Sequence, residues 1–344
     1  MISRFFGTSN PFRLSPGWKI VSYVILGLWS IVILFPLYWL LITAFKAPED
    51  VANGPKYIPF VDFQPTTAQW TELLADPSAG QIANRPYYNT FVVGTTSAFL
   101  SLVVGSSAAY ALVRFRYRVK VGVIFTIIGC VILGIVLLSL GLPWALALVI
   151  AVSVFVFLTQ TIGRRFKRAM GNNDISFWLI SQRMLPPVAV IIPIYILFQR
   201  LHLLDTQIGL IIAYCGANLP LAVWFMRDFF ETIPLELEES AFIDGATRYQ
   251  ALVHIIIPLS MPGLVATYLI TLVFAWNEYT IALFLSETNA QTMPLLVVAQ
   301  NATRGPQWWN ISILVLLMIV PIIVIAIFLE RYIAKGLLIG AVKA

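Results

Sequence analysis

Between two runs apolar enough to cross a membrane stands EESAFIDGATRYQALVHIIIPL, Glu238 to Leu259. It places Glu238, Glu239, Asp244, Arg248 and His254 around Gly245. Pro234 suits the first turn of a helix, where its missing N–H costs nothing. Glu236, Glu238 and Glu239 then fall near the positive end of that helix dipole. Gly245 allows a bend, and Tyr249, Leu252, Val253 and Ile256 repeat at helical spacing before Pro258 and Pro262. The segment therefore reads as two short helices joined at Gly245. Two readings stand at this point: an amphipathic hairpin resting on a membrane surface, and a docking element for a cytoplasmic partner.

Two other charges lie inside apolar runs, where charge is costly and marks function by default. Arg183 either snorkels to the cytoplasmic interface along its aliphatic stem or faces a cavity, where an acidic group on a substrate becomes its natural partner. Glu278 stands in AWNEYT with Trp276, Asn277 and Tyr279. Successive helical residues point about 100° apart, so these four cannot all face one cavity. Asn277 and Glu278 are the candidates there. Pro186, Pro187 and Pro193 predict a bend in the run that carries Arg183. His202 and His254 stand apart from any Cys, His or carboxylate cluster and read as surface residues. Cys130 and Cys215 lie within apolar runs and read as small core residues. No nucleophile–base pair and no metal-ligand spacing is present, so neither a catalytic nor a metal site is assigned.

The elements that position these residues follow from composition. The chain of 344 residues is 59% hydrophobic and 11% charged, with a mean hydropathy of +0.86. Soluble domains carry about 25% charged residues, so this chain is dissolved in lipid. Eight apolar runs approach the ~20 residues that a spanning helix needs: Ile20–Phe45, Thr90–Val113, Val121–Leu140, Trp144–Ile162, Phe177–Phe198, Ile208–Met226, Met261–Leu285 and Ile311–Leu329. Runs of this length exclude barrel strands, which predicts an all-α membrane protein. The first run is too long for a signal peptide and has no small-residue cleavage site.

Cationic residues orient the bundle. With eight crossings and residues 1–19 in the cytoplasm, all of the 22 lysines and arginines except Lys46, Lys56, Arg85, Arg200 and Arg304 fall on or next to the cytoplasmic side. Both termini are then cytoplasmic, and this asymmetry accounts for the net charge of +6 without a nucleic-acid partner. The long first outer loop is ordered, with a short helix at Ala68–Ala75. The pair Trp308–Trp309 suits interface anchoring. Spans three and four form a nearly unpolar hairpin, and Ser97, Ser101 and Gly105 form a small-residue stripe for close helix packing.

Glu239-Ser240-Ala241, three residues, Gly245, nine residues, Ile255, one residue, and Ile257-Pro258 resemble the EAA loop of ABC-importer permeases. Ser240 and Ile257 depart from that pattern conservatively. RMLPPVAVIIPIYILFQRL, FAWNEYTIALFL and the ending RYIAKGLLIGAVKA are similar to the carbohydrate importers of the maltose-type, MalG-like family. In that family the RFR element runs almost directly into the helix bearing MLPP, whereas here a hairpin of about 121–162 intervenes. The resemblance implies a type I ABC-importer transmembrane domain of six core helices with an inserted two-helix hairpin. It also implies a coupling loop at about 227–260 that docks in a cleft of a separate ATPase. Glu239, Ser240, Ala241, Asp244, Gly245, Ala246 and Arg248 are the coupling residues it indicates: the charged ones can ion-pair with the ATPase, and the small ones allow close approach.

No G-x-x-x-x-G-K-[ST] phosphate loop occurs in the chain, which fits an arrangement where ATP and Mg are used by a partner. The resemblance further implies an ATPase dimer, a second related permease, an extracytoplasmic solute-binding protein, a place in the bacterial inner membrane, and a sugar, polyol or related derivative as cargo. It leaves the hairpin unexplained, and the tail Lys335–Ala344 is expected to reach towards the ATPase pair. The rivals are an ion-coupled secondary transporter, which would carry several intramembrane carboxylates, and a membrane-embedded transferase, which would need a polar cluster at one interface.

Overall fold

The computed structural model describes residues 15–75, 80–161, 169–302 and 305–341. The segment before Ser15, the basic flank Arg164–Arg168, Arg304 and the tail end Val342–Ala344 lie outside the described residues. Helices dominate because a chain surrounded by lipid must satisfy its backbone polar groups internally. Four helices are long and apolar enough to cross a membrane: Pro16–Thr43, Ala83–Arg114, Gln207–Glu231 and Trp308–Glu330. Two bent pairs raise that to six, Asn172–Met184 with Pro187–Arg200 and Arg248–Leu259 with Met261–Trp276. The hairpin helices Val121–Ser139 and Trp144–Thr161 contain shorter apolar stretches.

The bend expected at the paired prolines is present, and two other expectations change in detail. The run Phe177–Phe198 is not one helix: it breaks before Pro187 and turns by 91°. Pro187 has no N–H for the preceding turn, and a residue before proline is pushed out of the helical region. The run Met261–Leu285 also breaks, ending at Trp276 and resuming at Thr280–Leu285. Here Asn277 Nδ2 donates back to the Val273 carbonyl at 2.9 Å, while the Glu278 carboxylate accepts from Ile281 N at 2.9 Å and starts the next helix. Side chains that bond their own backbone compete with helix continuation. Finally, the fold is mostly but not wholly helical. Val119–Lys120 pairs antiparallel with Ala169–Met170 below the hairpin, and Asn301–Ala302 pairs with Gly305–Pro306.

The chain forms two compact units, Met1–Phe91 with Ser286–Ile325, and Val92–Leu285 with Ala326–Ala344. In the first unit, the chain after Thr43 folds back on its own helix. Trp70 Nε1 donates to the Ala44 carbonyl at 2.8 Å and its ring stacks on Phe45. The helix Ala68–Ala75 forms where the sequence predicts it. Lys46 is buried with its ammonium over the Trp39 ring, 4.2 Å from the centroid, and over Phe63. Burial pushes that ammonium below its ordinary range, against the pull of Asp50 and Asp62. Asn89 Nδ2 donates to the Asn289 and Gln291 carbonyls, which ties the two sequence-distant parts of this unit together.

The second unit packs around the helix that ends at Arg114. Ala109, Tyr110 and Leu112 meet Val223, Met226, Phe230 and Ile256 in its core. The small-residue stripe is where the backbones approach: Ser97, Ser101 and Gly105 are all buried, and Ser101 Oγ donates to the Cys215 carbonyl at 3.3 Å. A Cβ placed on Gly105 would lie 2.7 Å from Ala222 Cβ and 3.2 Å from its backbone. At the hairpin tip Gly141 has φ +86°, a turn that a residue with a Cβ enters only under strain. The Trp308–Ala341 helix continues through Lys335, so the expected tail begins as helix.

Gly105→Ala should therefore cost about 1–3 kcal/mol through overpacking, chiefly against the Ala222 methyl. Thermal unfolding in detergent would show a lowered midpoint, restored by a second change, Ala222→Gly. Gly129→Ala, with nothing within 4 Å of the added Cβ, should leave the midpoint in place.

Candidate functional site

The polar segment folds as two helices with a glycine joint. Glu236–Ile243 is followed by Gly245 at φ +87°, then by Arg248–Ala251, a π-helical turn at Leu252–Ile256, and Ile257–Leu259. Pro234 stands before the first helix instead of within its first turn, and Leu235 is the N-cap. The second helix opens on a capping box. Thr247 Oγ1 accepts from Gln250 N, and Gln250 Oε1 accepts from Thr247 N at 2.7 Å. His254 is exposed, with Nδ1 3.0 Å from the Gln250 carbonyl.

The residue that fixes this segment was not among the sequence candidates. Glu238 is only 2% exposed. Its carboxylate accepts from Arg114 Nε and, at 2.6 Å, from the Tyr110 hydroxyl. Arg114 also donates through Nη2 to the Ile233 carbonyl at 3.0 Å, closing the loop on the residues that lead into the helix. A buried carboxylate is tolerable only when paired and hydrogen-bonded, and here both conditions hold. The second half of the segment grips the same place, because the Arg248 guanidinium carbon lies 4.8 Å over the Phe115 ring. Asn172 donates to the Leu112 and Phe115 carbonyls, capping the end of the same helix from a third direction.

With Glu238 and Ala241 turned inward, Glu239, Ser240, Asp244 and Gly245 face outward, while Ala246 is half-buried. Ile243 and Tyr249 stand beside them at 86% and 74% exposure, apolar groups with no cover in this chain. Of the seven candidates, Ala241 belongs to the inner face, and Arg248 is exposed but committed to Phe115. Adjacent acids on a helix point about 100° apart. That rule keeps Glu238 and Glu239 from facing the same way, and the distant Arg114 and Tyr110 take Glu238.

Of the three candidates inside apolar runs, Arg183 packs on the segment that leads to Glu278, while Asn277 turns back on its own helix. Arg183 sits in the 3-10 turn Gln182–Met184 just before the 91° bend, its guanidinium carbon 4.7 Å over the Phe274 ring. Phe274 is one turn before Glu278, whose backbone carbonyl accepts from the Tyr214 hydroxyl at 3.1 Å. At about 1.5 Å per residue, Arg183 is ~16 Å along its helix from Asn172, and Phe274 is ~20 Å from Met261. There the guanidinium rests on an aromatic face. Trp276 is buried and belongs to the core, whereas Asn277 is exposed and turned to its own helix. Among the described residues, no group of three or more His, Cys, Asp or Glu could hold a metal ion.

This arrangement has relatives. The probable ABC transporter permease protein y4oR of Sinorhizobium fredii is 29% identical over 317 residues, covering 91% of this chain and 92% of its own length. The trehalose/maltose transport system permease protein MalG of Thermococcus litoralis is 24% identical, with 92% of this chain and 94% of the relative covered. In fold the chain is similar to a crystal structure of a bacterial ABC transporter involved in the import of the acidic polysaccharide alginate. The TM-score is 0.61 at 21% identity, over 94% of this chain and 99% of the other. The model of one family matches residues 131–339, a stretch that holds the Arg183–Phe274 contact and both halves of the polar segment. The chain belongs to the family of binding-protein-dependent transport system inner membrane components.

Proposed function

We propose that this chain is the permease subunit of an ATP-driven importer of a sugar, polyol or related carbohydrate derivative. It forms half of the pore in a bacterial inner membrane, with eight spans and both termini in the cytoplasm. A second related permease completes the pore, an ATPase dimer binds ATP and Mg, and an extracytoplasmic solute-binding protein delivers the cargo. One observation carries the reading: the outward face of Glu239, Ser240, Asp244 and Gly245 is clamped through Glu238 to the helix that ends at Arg114. A push on that face is a push on a long apolar helix. Glu239 and Asp244 supply charge for the ATPase, Gly245 and Ala246 allow close approach, and Arg248 and Ala241 hold the segment in shape. The uncovered Ile243 and Tyr249 add an apolar footprint of the kind that marks a docking surface.

Arg183, Asn277 and Glu278 are the proposed substrate-pathway residues. Helix breaks at membrane depth persist where irregular backbone lines a cavity or packs in protein, and two of them meet at this cluster. The hairpin of about 121–162 is proposed as a peripheral addition to six core helices, its apolar side chains widely exposed to lipid.

Reconstitution of the assembled complex in proteoliposomes should give uptake that depends on ATP, the ATPase and the binding protein. Uptake by this chain alone would overturn the reading. Glu238→Gln leaves Arg114 without its charge partner and should cost about 3–5 kcal/mol, seen as a lower unfolding midpoint of the permease. Glu239→Gln should leave the midpoint unchanged and weaken ATPase association in pull-down from detergent. Arg183→Ala should reduce uptake while basal ATPase activity of the complex stays; unchanged uptake would remove Arg183 from the pathway.

A further inference from the structure

The loop that follows the Pro16–Thr43 helix carries a second surface, unrelated to coupling or cargo. Residues Tyr57 to Phe63 make a tight tip. The Asp62 carboxylate accepts from Tyr57 N at 2.8 Å and from Ile58 N at 2.9 Å. Phe60 N donates to the Phe63 carbonyl, and Val61 N and Asp62 N donate to the Ile58 carbonyl. Pro59 has no N–H to satisfy. Every backbone donor from Tyr57 to Asp62 is thus used within the tip itself. Water would satisfy such donors without help, whereas a lipid environment demands internal partners.

What the tip presents is apolar. Phe60 and Val61 are 74% and 77% exposed, with Ile58 beside them, while Phe63 turns inward under Lys46. Phe60 adopts φ +66°, the left-handed region that a bulky side chain enters only at a cost. That backbone turns the phenyl ring outward although the loop has a core to fill.

The tip is also held at a definite level. Tyr57 packs on Trp39 and Phe35, with ring centroids 5.3 and 6.3 Å apart, and the Tyr38 hydroxyl donates to the Tyr57 carbonyl at 2.5 Å. At ~1.5 Å per residue, Phe35 is ~12 Å back from the helix end. The helix itself is 28 residues long, hence ~42 Å, and so exceeds a ~30 Å hydrocarbon layer by about the same distance. Trp39 and Tyr38 are residue types that mark a membrane–water interface. Charged groups collar the tip on its other side: Lys56 pairs with Asp50, and Lys46 lies close to Asp62.

We propose that Ile58, Phe60 and Val61 form a wedge that enters the lipid interface beside the Pro16–Thr43 helix, at the boundary between headgroups and acyl chains. The occupant of this apolar tip is the bilayer itself, since the tip satisfies its own backbone donors, as lipid requires, and is pinned beside the interface residues Tyr38 and Trp39. The inference stands apart from the transport reading and survives its failure.

Site-directed spin labelling tests it in the assembled complex, reconstituted in phosphatidylethanolamine–phosphatidylglycerol vesicles. With Cys130→Ala and Cys215→Ala as background, a nitroxide on Val61→Cys should collide several-fold more often with oxygen than with a nickel chelate. The same label on Asn53→Cys, an exposed position outside the tip, should show the reverse order. Ile58→Cys repeats the measurement in case the first label disturbs the turn. A tip as accessible to nickel as Asn53 would mean that it faces water or a soluble partner. A tip shielded from both reagents would mean that another subunit covers it. Either result overturns the proposal.

Discussion

A carboxylate removed from water must keep a cation and hydrogen-bond donors beside it, and Glu238 meets that requirement on Arg114 and Tyr110. The position of the whole polar segment follows. Arg114 closes back on Ile233, so the chain leaving the Gln207–Glu231 helix is held at the same point. Arg248 rests on Phe115 one residue further along, and Asn172 caps the carbonyls beneath it. Two segments distant in sequence, Asn172 and the stretch from Ile233 to Arg248, therefore converge on one helix end. Because a half-broken buried pair is far costlier than an exposed one, they move together or come apart together.

The second constraint is the lipid demand for internal hydrogen bonds. It explains why the two broken runs fail where they do. Ahead of Pro187 the lost N–H is proline's own. At Asn277 and Glu278 the side chains take over bonds that the helix would have made. Breaks made this way leave few orphaned groups, because the side chains at the break take up the freed backbone partners.

Much of this was legible from the residues. The apolar runs become helices, Gly245 is the joint, Pro186 and Pro187 mark the bend, and the Ser97–Ser101–Gly105 stripe is the close approach. These features depend on local spacing and backbone freedom, which a sequence carries openly. Glu238 and Glu239 are alike to local spacing, because they differ only in which side of a helix meets a cation over a hundred residues away. The break after Trp276 was hidden because hydropathy averages across it. The left-handed Phe60 was invisible, since nothing in its neighbours' types announces a bulky residue in that region. Long-range pairing and strain are properties of the folded chain, and no single window contains them.

The two-residue ladder beneath the hairpin has an architectural consequence. Val119–Lys120 and Ala169–Met170 lie side by side, so the chain enters and leaves the hairpin about 5 Å apart, the spacing of paired strands. An excursion whose entry and exit coincide makes no demand on the path of the chain around it. The length of the hairpin is therefore uncoupled from the distance that the flanking chain has to cover.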